Sequence, residues 1–150
     1  MSGSWTVIPL RGSGLHGQVV EVDGICWSEP HLSTWVLGEF LAARGSHAVV
    51  AVDEDQEVLG YLLYTVCDTV VTLRRAGVVA SRRRQGIGRS LIEAAVTRRK
   101  RPVDGVVATV SEYWVVAQLW LRGCGFRTFG RSSVCDETGN DLYQFLRMEK

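Results

Sequence analysis

Nine consecutive residues, Arg82-Arg83-Arg84-Gln85-Gly86-Ile87-Gly88-Arg89-Ser90, carry the pattern in this chain that points most directly to a ligand. An apolar run broken by polar residues, Val70 to Ala80, comes just before them. An amphipathic helical pattern begins inside them, so they occupy a strand-to-helix junction. Glycine at such a junction lets backbone N–H groups approach a ligand, because no Cβ stands in the way. The helix N-terminus adds unpaired N–H donors and a partial positive charge. Three arginines upstream and one within add full charges. Together these make a pyrophosphate site. A helix start with nothing more than a basic, solvated first turn gains nothing from glycine at two positions.

The class of phosphate ligand is narrowed by elimination. A P-loop needs G-x-x-x-x-G-K-[ST], and neither Lys-Ser nor Lys-Thr occurs in the chain. A dinucleotide fingerprint needs G-x-G-x-x-G, and its third glycine falls on Leu91. Asp104 stands near the spacing of a ribose-binding acid, but it opens the next strand instead of ending it. What remains is Arg83-x-x-Gly86-x-Gly88.

The elements that must position this stretch fit one domain over residues 1–150. That length supports a real core, and 46% hydrophobic with 22% charged residues describes a globular chain. A net charge of +1 argues against a general polyanion binder, so no nucleic-acid partner is expected. The positive charge is local: Arg74 and Arg75, Arg82 to Arg84, and Arg98 to Arg101. The plain alternative for such runs is a solvated face; the last ends a helix, where cations suit the dipole, and reads as mostly structural. Cys26, Cys67, Cys124 and Cys135 show no C-x-x-C spacing and no histidine pairing. No metal site is expected; they read as buried free thiols in a reducing compartment. No stretch has the length of a membrane span, and no signal peptide is evident at the start. A cytoplasmic monomer or homodimer without membrane contact follows.

In order, Trp5 to Leu10 alternates as a strand, and three glycines make Arg11 to Gly17 a loop. Gln18 to Cys26 reads as a helix through Val19, Val22 and Ile25. After a break at Trp27-Ser28-Glu29-Pro30, Leu32 to Ala43 reads as a second, with Leu32, Val36, Phe40 and Ala43 on one side. His47 to Val52, Glu57 to Val66 and Val70 to Val79 form an antiparallel meander that ends at the anion site. A helix from about Gly86 to Lys100 puts Ile87, Leu91, Ala94, Ala95 and Arg98 on one face. Gly105 to Val110 is a continuous apolar run, as in a central strand. Tyr113 to Cys124 is a helix closed by Gly123-x-Gly125. Phe126 to Arg131 and Asp141 to Met148 are final strands.

The motif Arg83-x-x-Gly86-x-Gly88 resembles the (R/Q)-x-x-G-x-(G/A) acyl-CoA motif of the GNAT N-acetyltransferase superfamily. The order β-α-α-β-β-β-α-β-α-β-β is that of the family's fold, an α/β (α+β) arrangement. It implies a mixed, mostly antiparallel central sheet of about seven strands with helices on both faces. Gly77-Val78-Val79-Ala80-Ser81 resembles the ending of its strand 4, with Ala80 where a proline is usual. Leu59-Gly60-Tyr61 resembles its strand 3 signature. Asp23-Gly24-Ile25-Cys26-Trp27-Ser28-Glu29-Pro30 looks like the region between the first two helices of protein N-terminal acetyltransferases, the ribosomal-protein-alanine type especially. Ala117 and Gly125-Phe126 match the family's N-x-x-A-x-x-x-Y-x-x-x-G-F motif, in which Trp114 holds the Asn position and Leu121 the Tyr position.

The resemblance implies an acetyl-CoA-dependent N-acetyltransferase, with acetyl-CoA as co-substrate and an amine as acceptor. Gly77, Val78 and Val79 would pair with the pantetheine arm, and the N–H of Val78 would polarise the thioester carbonyl. Arg83, Arg84, Gln85, Gly86, Ile87 and Gly88 would cradle the pyrophosphate, with Arg89 and Ser90 opening the helix beneath it. Such a transfer also needs a neutral amine and a proton for the departing thiolate. The family's usual donor is the missing Tyr, and Leu121 cannot replace it. Relatives that use a Tyr in strand 4 or a Glu or His in strand 5 have Thr72 and Thr109 as counterparts here.

The nearest substitutes are Glu112 and Tyr113, then Tyr64. Glu112 reads equally well as a strand-end charge in solvent, Tyr113 and Trp114 as packing beside the acyl-CoA channel, and Tyr64 as packing or a substrate wall. His16, His31 and His47 read as surface or loop residues, with His31 nearest the substrate mouth. A low-pKa α-amine, on a protein N-terminus or a small molecule, therefore fits better than a lysine. Leu121→Tyr should raise turnover if proton donation limits the rate, unless the pocket has closed around the leucine. Two other readings stand beside the enzyme: a degenerate domain that senses acyl-CoA without efficient transfer, and an interaction module on the same scaffold. The intact glycine motif favours acyl-CoA binding over the second.

Overall fold

Runs rich in valine and leucine, separated by turn residues, build most of the sheet, and the computed structural model describes residues 4–27, 32–99, 101–111, 115–131 and 142–149. Strand β1 (Thr6–Pro9) leads into helices α1 (His16–Cys26) and α2 (Thr34–Ala42). The meander β2 (Ser46–Val52), β3 (Val58–Cys67) and β4 (Val70–Val78) follows. Then come α3 (Ile87–Thr97), β5 (Gly105–Ser111), α4 (Val115–Gly123) and the pair β6 (Arg127–Arg131) and β7 (Leu142–Met148). The strands form a seven-stranded sheet in the order β1-β2-β3-β4-β5-β7-β6. Every pairing is antiparallel except β4 with β5. This is the mixed sheet the element order implies, and β5 lies inside it between β4 and β7, as its mostly apolar run leads one to expect.

The sheet separates two cores. On one face α3 packs Ile87, Leu91, Ile92 and Ala95 against Leu62, Val71, Val106 and Phe145, and α4 adds Leu121 to the same cluster. On the other, Val19 and Val22 of α1 and Leu37 and Leu41 of α2 meet Val50, Tyr61 and Leu63. Two helix faces differ from the spacing-based expectation. Ile25 is 74% exposed, because α1 turns Asp23 inward. Val36 is exposed and Leu37 buried, because α2 starts at Thr34; the buried Leu32 precedes it, so a count from Leu32 runs out of phase. Ser33 caps that start, its Oγ accepting from the Val36 N–H at 3.0 Å.

One irregularity sets up the site. β4 and β5 pair only where Val70–Leu73 face Gly105–Ala108. Past that point β4 stays with β3 as far as Val78, while β5 stays with β7 as far as Ser111. The sheet therefore divides into two leaves, and a wedge opens between Arg74–Val78 and Thr109–Ser111. A β-bulge lies where the division begins: Tyr64 faces Leu73 and Leu63 faces Arg75, leaving Arg74 as the extra residue.

The thiols depart from the expected burial. Cys124 is buried, Cys26 is half-buried and Cys67 is exposed at the β3–β4 turn; Cys135 lies outside the described residues. Among the described residues no helix is long and apolar enough to cross a membrane, and no cluster of His, Cys, Asp and Glu could hold a metal ion.

Candidate active site

The arginine-glycine stretch sits where the wedge opens, between the end of β4 and the start of α3. A single 3-10 turn, Ala80–Arg82, redirects the chain after β4. Arg84 (φ +64°) and Gly86 (φ +89°) both take left-handed backbone, which coils the loop tightly. Gly86 is the N-cap of α3, with no side-chain cap and no acid in the first turn. The first helical bond runs from the Ser90 N–H to the Gly86 carbonyl at 3.0 Å. The N–H groups of Ile87, Gly88 and Arg89 are therefore not taken up by the helix. An anion with several oxygens suits these donors and the surrounding guanidinium charge. The space a Cβ of Gly86 would enter is open. The residues present thus fit a pyrophosphate-bearing ligand.

The two glycines do different work. A Cβ on Gly88 would lie 2.4 Å from Nε1 of Trp120 on α4, so the bare backbone here lets two helices meet. Ile87 turns its side chain into the core at 1% exposure, leaving only its backbone for the loop. Several side chains of the stretch are held by the protein. Arg82 Nε donates to Gln85 Oε1 at 3.1 Å, and Arg89 donates to the Gly123 carbonyl. Arg83 folds back over β4, its Nε donating to the Val78 carbonyl at 3.0 Å.

The edge of β4 along the wedge alternates as a strand must. The Val79 N–H donates toward β3, to the Leu59 carbonyl at 2.9 Å. Val78 therefore turns its N–H and carbonyl the other way, into the wedge. Its carbonyl accepts from Arg83 and from the Cys26 thiol, the latter at 3.5 Å. The Ala76 carbonyl, on the same edge, accepts from Trp27 Nε1 at 3.0 Å. Gly77 has no room for a side chain: its Cβ would meet Tyr61 Cε1 at 2.8 Å and Cys26 Sγ at 3.0 Å. So Gly77, Val78 and Val79 lead straight into the Arg83–Ser90 loop, with the end of α1 laid across them.

A buried ionic network fixes that helix. Asp23 is fully buried and accepts from Arg75 twice, Nε to Oδ1 at 2.6 Å and Nη2 to Oδ2 at 2.9 Å. The Tyr61 hydroxyl donates to Oδ1, and the Leu32 N–H donates to Oδ2 at 3.1 Å. Arg75 also lies over the Trp27 ring, 5.1 Å from its centroid. Burial pushes the Asp23 carboxyl up, but the bonds from Arg75, Tyr61 and the Leu32 amide outweigh it, and the net shift is downward. Burial, then the bond to Asp23, drives the Tyr61 phenol far up. For Arg75 the carboxylate outweighs burial and the guanidinium is held charged. Arg75 is thus no solvated-face residue. One sequence signal pointed here: Asp23 follows Val19 by four residues, which puts a carboxylate on the inward side of α1.

The positions that could supply a proton are bare of titratable side chains where the structure describes them. Thr72 lies in β4 opposite Thr65 of β3 and Val107 of β5. Thr109 is exposed on β5, opposite Gln144. Tyr64 is buried under α3 and stacked on His47, on the far side of the bulge from Gly77–Val79, so of its two readings packing is the one that holds. Glu112, Tyr113, Trp114 and His31 lie outside the described residues. Leu121 is 1% exposed, inside the α3-side core. Its side chain is packed by that core. Leu121→Tyr is therefore expected to lose about 1–3 kcal/mol by overpacking, read as a lower urea midpoint, before any gain in turnover can show.

A family model of the acetyltransferase (GNAT) domain matches residues 44–128. No curated protein matches the sequence. Among solved structures, smu.2055 from Streptococcus mutans UA159 superposes with a TM-score of 0.79 at 22% identity, over 95% of this chain and 98% of that one. The ribosomal-protein-S18-alanine N-acetyltransferase of Escherichia coli gives 0.77 at 17% identity, over 95% and 92%. Arabidopsis thaliana NAA60, in complex with acetyl-CoA, gives 0.76 at 16% identity, over 97% and 98%. The family model spans more than half of the chain, including the wedge, the glycine loop and α3, and on that ground the chain belongs to the GNAT acetyltransferase family, whose chemistry is acetyl transfer from acetyl-CoA to an amine.

Proposed function

We propose that the chain, acting as one domain, acetylates a primary α-amine, either a protein N-terminus or a small molecule. The observation that carries this reading is the wedge between β4 and β5, which opens onto the uncapped, acid-free start of α3 at Gly86. Gly77, Val78 and Val79 take the pantetheine arm along the edge of β4 that faces the wedge. Arg83, Arg84, Gln85, Gly86, Ile87 and Gly88 hold the pyrophosphate, and Arg89 and Ser90 begin the helix beneath it. Bound acetyl-CoA supplies an activated thioester. The Val78 N–H, directed into the wedge, polarises its carbonyl. The Asp23–Arg75–Tyr61 network holds the end of α1 over this edge and so orients the acceptor side.

The choice of amine follows from what the wedge offers. Thr72, Thr109 and Leu121 cannot take a proton from a cationic amine. With pKa values of about 7.7–8.0 and 10.4, an α-amine is roughly a quarter neutral at physiological pH and a lysine only about a thousandth. Positioning alone can supply on the order of 7–11 kcal/mol in favourable cases. The resemblance to a ribosomal-protein-alanine acetyltransferase lies in the same direction. The test is thiol release from acetyl-CoA with paired peptides, one with a free N-terminus and no lysine, one N-terminally blocked with a single lysine. The first is expected to react at least about tenfold faster at neutral pH, given that difference in neutral fraction. Equal rates would overturn the α-amine assignment, and no thiol release with any amine would overturn the enzyme reading.

A further inference from the structure

We propose that the basic hollow framed by Arg11, His47, Tyr64, Arg98, Arg99 and Arg101 is a second anion site that takes a small phosphate-bearing molecule. It lies at the opposite end of α3 from the glycine loop. Helix α3 has eleven residues, which puts the two ends about 16 Å apart. Two adjoining cavities of about 210 Å³ and 350 Å³ share His47, Tyr64 and Arg98 as walls. Among the described residues no carboxylate lines either of them.

Arginines after a helix are commonly a solvated end that faces its own carbonyls. These are placed otherwise. Arg98 donates from Nη2 to the Val7 carbonyl of β1 at 2.8 Å, and Arg99 from Nη2 to the Asp68 carbonyl at the β3–β4 turn at 3.1 Å. Arg11 reaches in from the loop after β1 and donates to the Leu41 carbonyl and, at 3.2 Å, to the Ser46 carbonyl. Main-chain oxygens fix the three guanidinium groups in place, but no described carboxylate neutralises them. Arg99 Nε is also buried without an acceptor. Holding several cations rigidly around a hollow costs free energy through their mutual repulsion, and an anion in the hollow offsets it.

The aromatic wall records the same field. The His47 ring is stacked on Tyr64 with centroids 5.4 Å apart. Burial, then the charges of Arg11 and Arg99, hold the His47 imidazole below its ordinary pKa. Burial raises the Tyr64 phenol, and Arg98 and Arg99 pull against that rise. Among the described residues, the charged groups that act on either ring are arginines. The size of the hollow and its separate guanidinium groups suit a compact phosphoryl group or a short phosphate ester.

His47 is the natural reporter, because it lines both cavities. The ring signals of the three histidines are followed by NMR while inorganic pyrophosphate is added at constant ionic strength, with sodium chloride as the balancing salt; His47→Gln identifies the signal. Saturable movement of the His47 signals and an upward shift of its titration are expected. Arg101→Glu, which alters an exposed rim residue, should weaken the response about five- to tenfold. Arg98→Gln combined with Arg99→Gln should remove it. Arg83→Gln, at the other end of α3, should leave it unchanged, which separates this hollow from the glycine loop. His47 signals that follow ionic strength whatever the anion, or an Arg101→Glu protein that responds as strongly as the parent, would overturn the proposal.

Discussion

Replacing Asp23 with alanine is expected to cost about 3–5 kcal/mol of folding free energy, the usual consequence of breaking a buried ion pair from one side. The cost comes from what is left behind. Tyr61 and the Leu32 amide lose an acceptor in a buried place, and Arg75, whose side chain is 20% exposed, loses its two bonds to the carboxylate. A domain of this kind has on the order of 5–15 kcal/mol in total, so the loss is a large share of it. In thermal unfolding it corresponds to a fall of roughly 6–20 °C for a chain of this size. Asp23→Asn should recover little, because an amide has one acceptor oxygen for three donors and no charge to match the guanidinium. An alanine at the exposed Asp55 should change stability by no more than about 0.5 kcal/mol.

The effect also has a pH signature. The folded-state pKa of Asp23 is lower than its ordinary value. Its contribution is therefore fully present above the unfolded pKa of about 3.9 and is lost as pH falls through the lower folded value. The gap between parent and Asp23→Ala should stay constant from neutral pH to about pH 5 and close only in stronger acid. Urea midpoints that coincide at pH 7, or a gap that closes near neutrality, would show that the network is not the fastening described.

The second large effect is expected at Gly86. An aspartate there faces open space, so no collision forces the fold apart. It must adopt φ near +89°, a conformation that costs an ordinary residue roughly 1–2 kcal/mol. More important, it sets a negative charge where the pyrophosphate would sit. Two unit charges about 4 Å apart at an effective dielectric of about 20 repel by about 4 kcal/mol. That is roughly three orders of magnitude in affinity. Calorimetry with acetyl-CoA should therefore detect no binding to Gly86→Asp, while circular dichroism shows a folded protein. Gly86→Ala isolates the backbone part and should lose much less. An aspartate variant that binds as tightly as the parent would remove the phosphate from this loop.

The sheet and the order of its helices were legible because their signals are local: β-branched runs, turn clusters and one strong helical period each lie within a few residues. The glycine loop was legible for the same reason. The functional detail that escaped depends on pairs far apart in the chain. Asp23 and Arg75 are separated by 52 residues, and no spacing rule announces that an arginine in a basic doublet will meet a carboxylate on a distant helix. The helix contact at Gly88 depends on Trp120 in another helix, so the motif gave no sign of this second reason for a glycine there. The faces of α1 and α2 were misjudged by short counts, because a buried acid and a late helix start each shift the phase. Leu121 could be read as a lost tyrosine from motif position alone, but only packing reveals that its space is filled.

The division of the sheet carries a liability as well as a binding cleft. Where β4 leaves β5, a strand in the middle of the sheet is left with an open edge, the kind of template on which a second chain can add itself. Here that edge is occupied in advance. The Trp27 indole and the Arg83 guanidinium hold the Ala76 and Val78 carbonyls. A ligand that pairs along β4 therefore enters by exchange, displacing side chains and not filling a vacancy. Until it arrives, those same side chains keep the gap in this sheet from being completed by the strand of a neighbouring molecule.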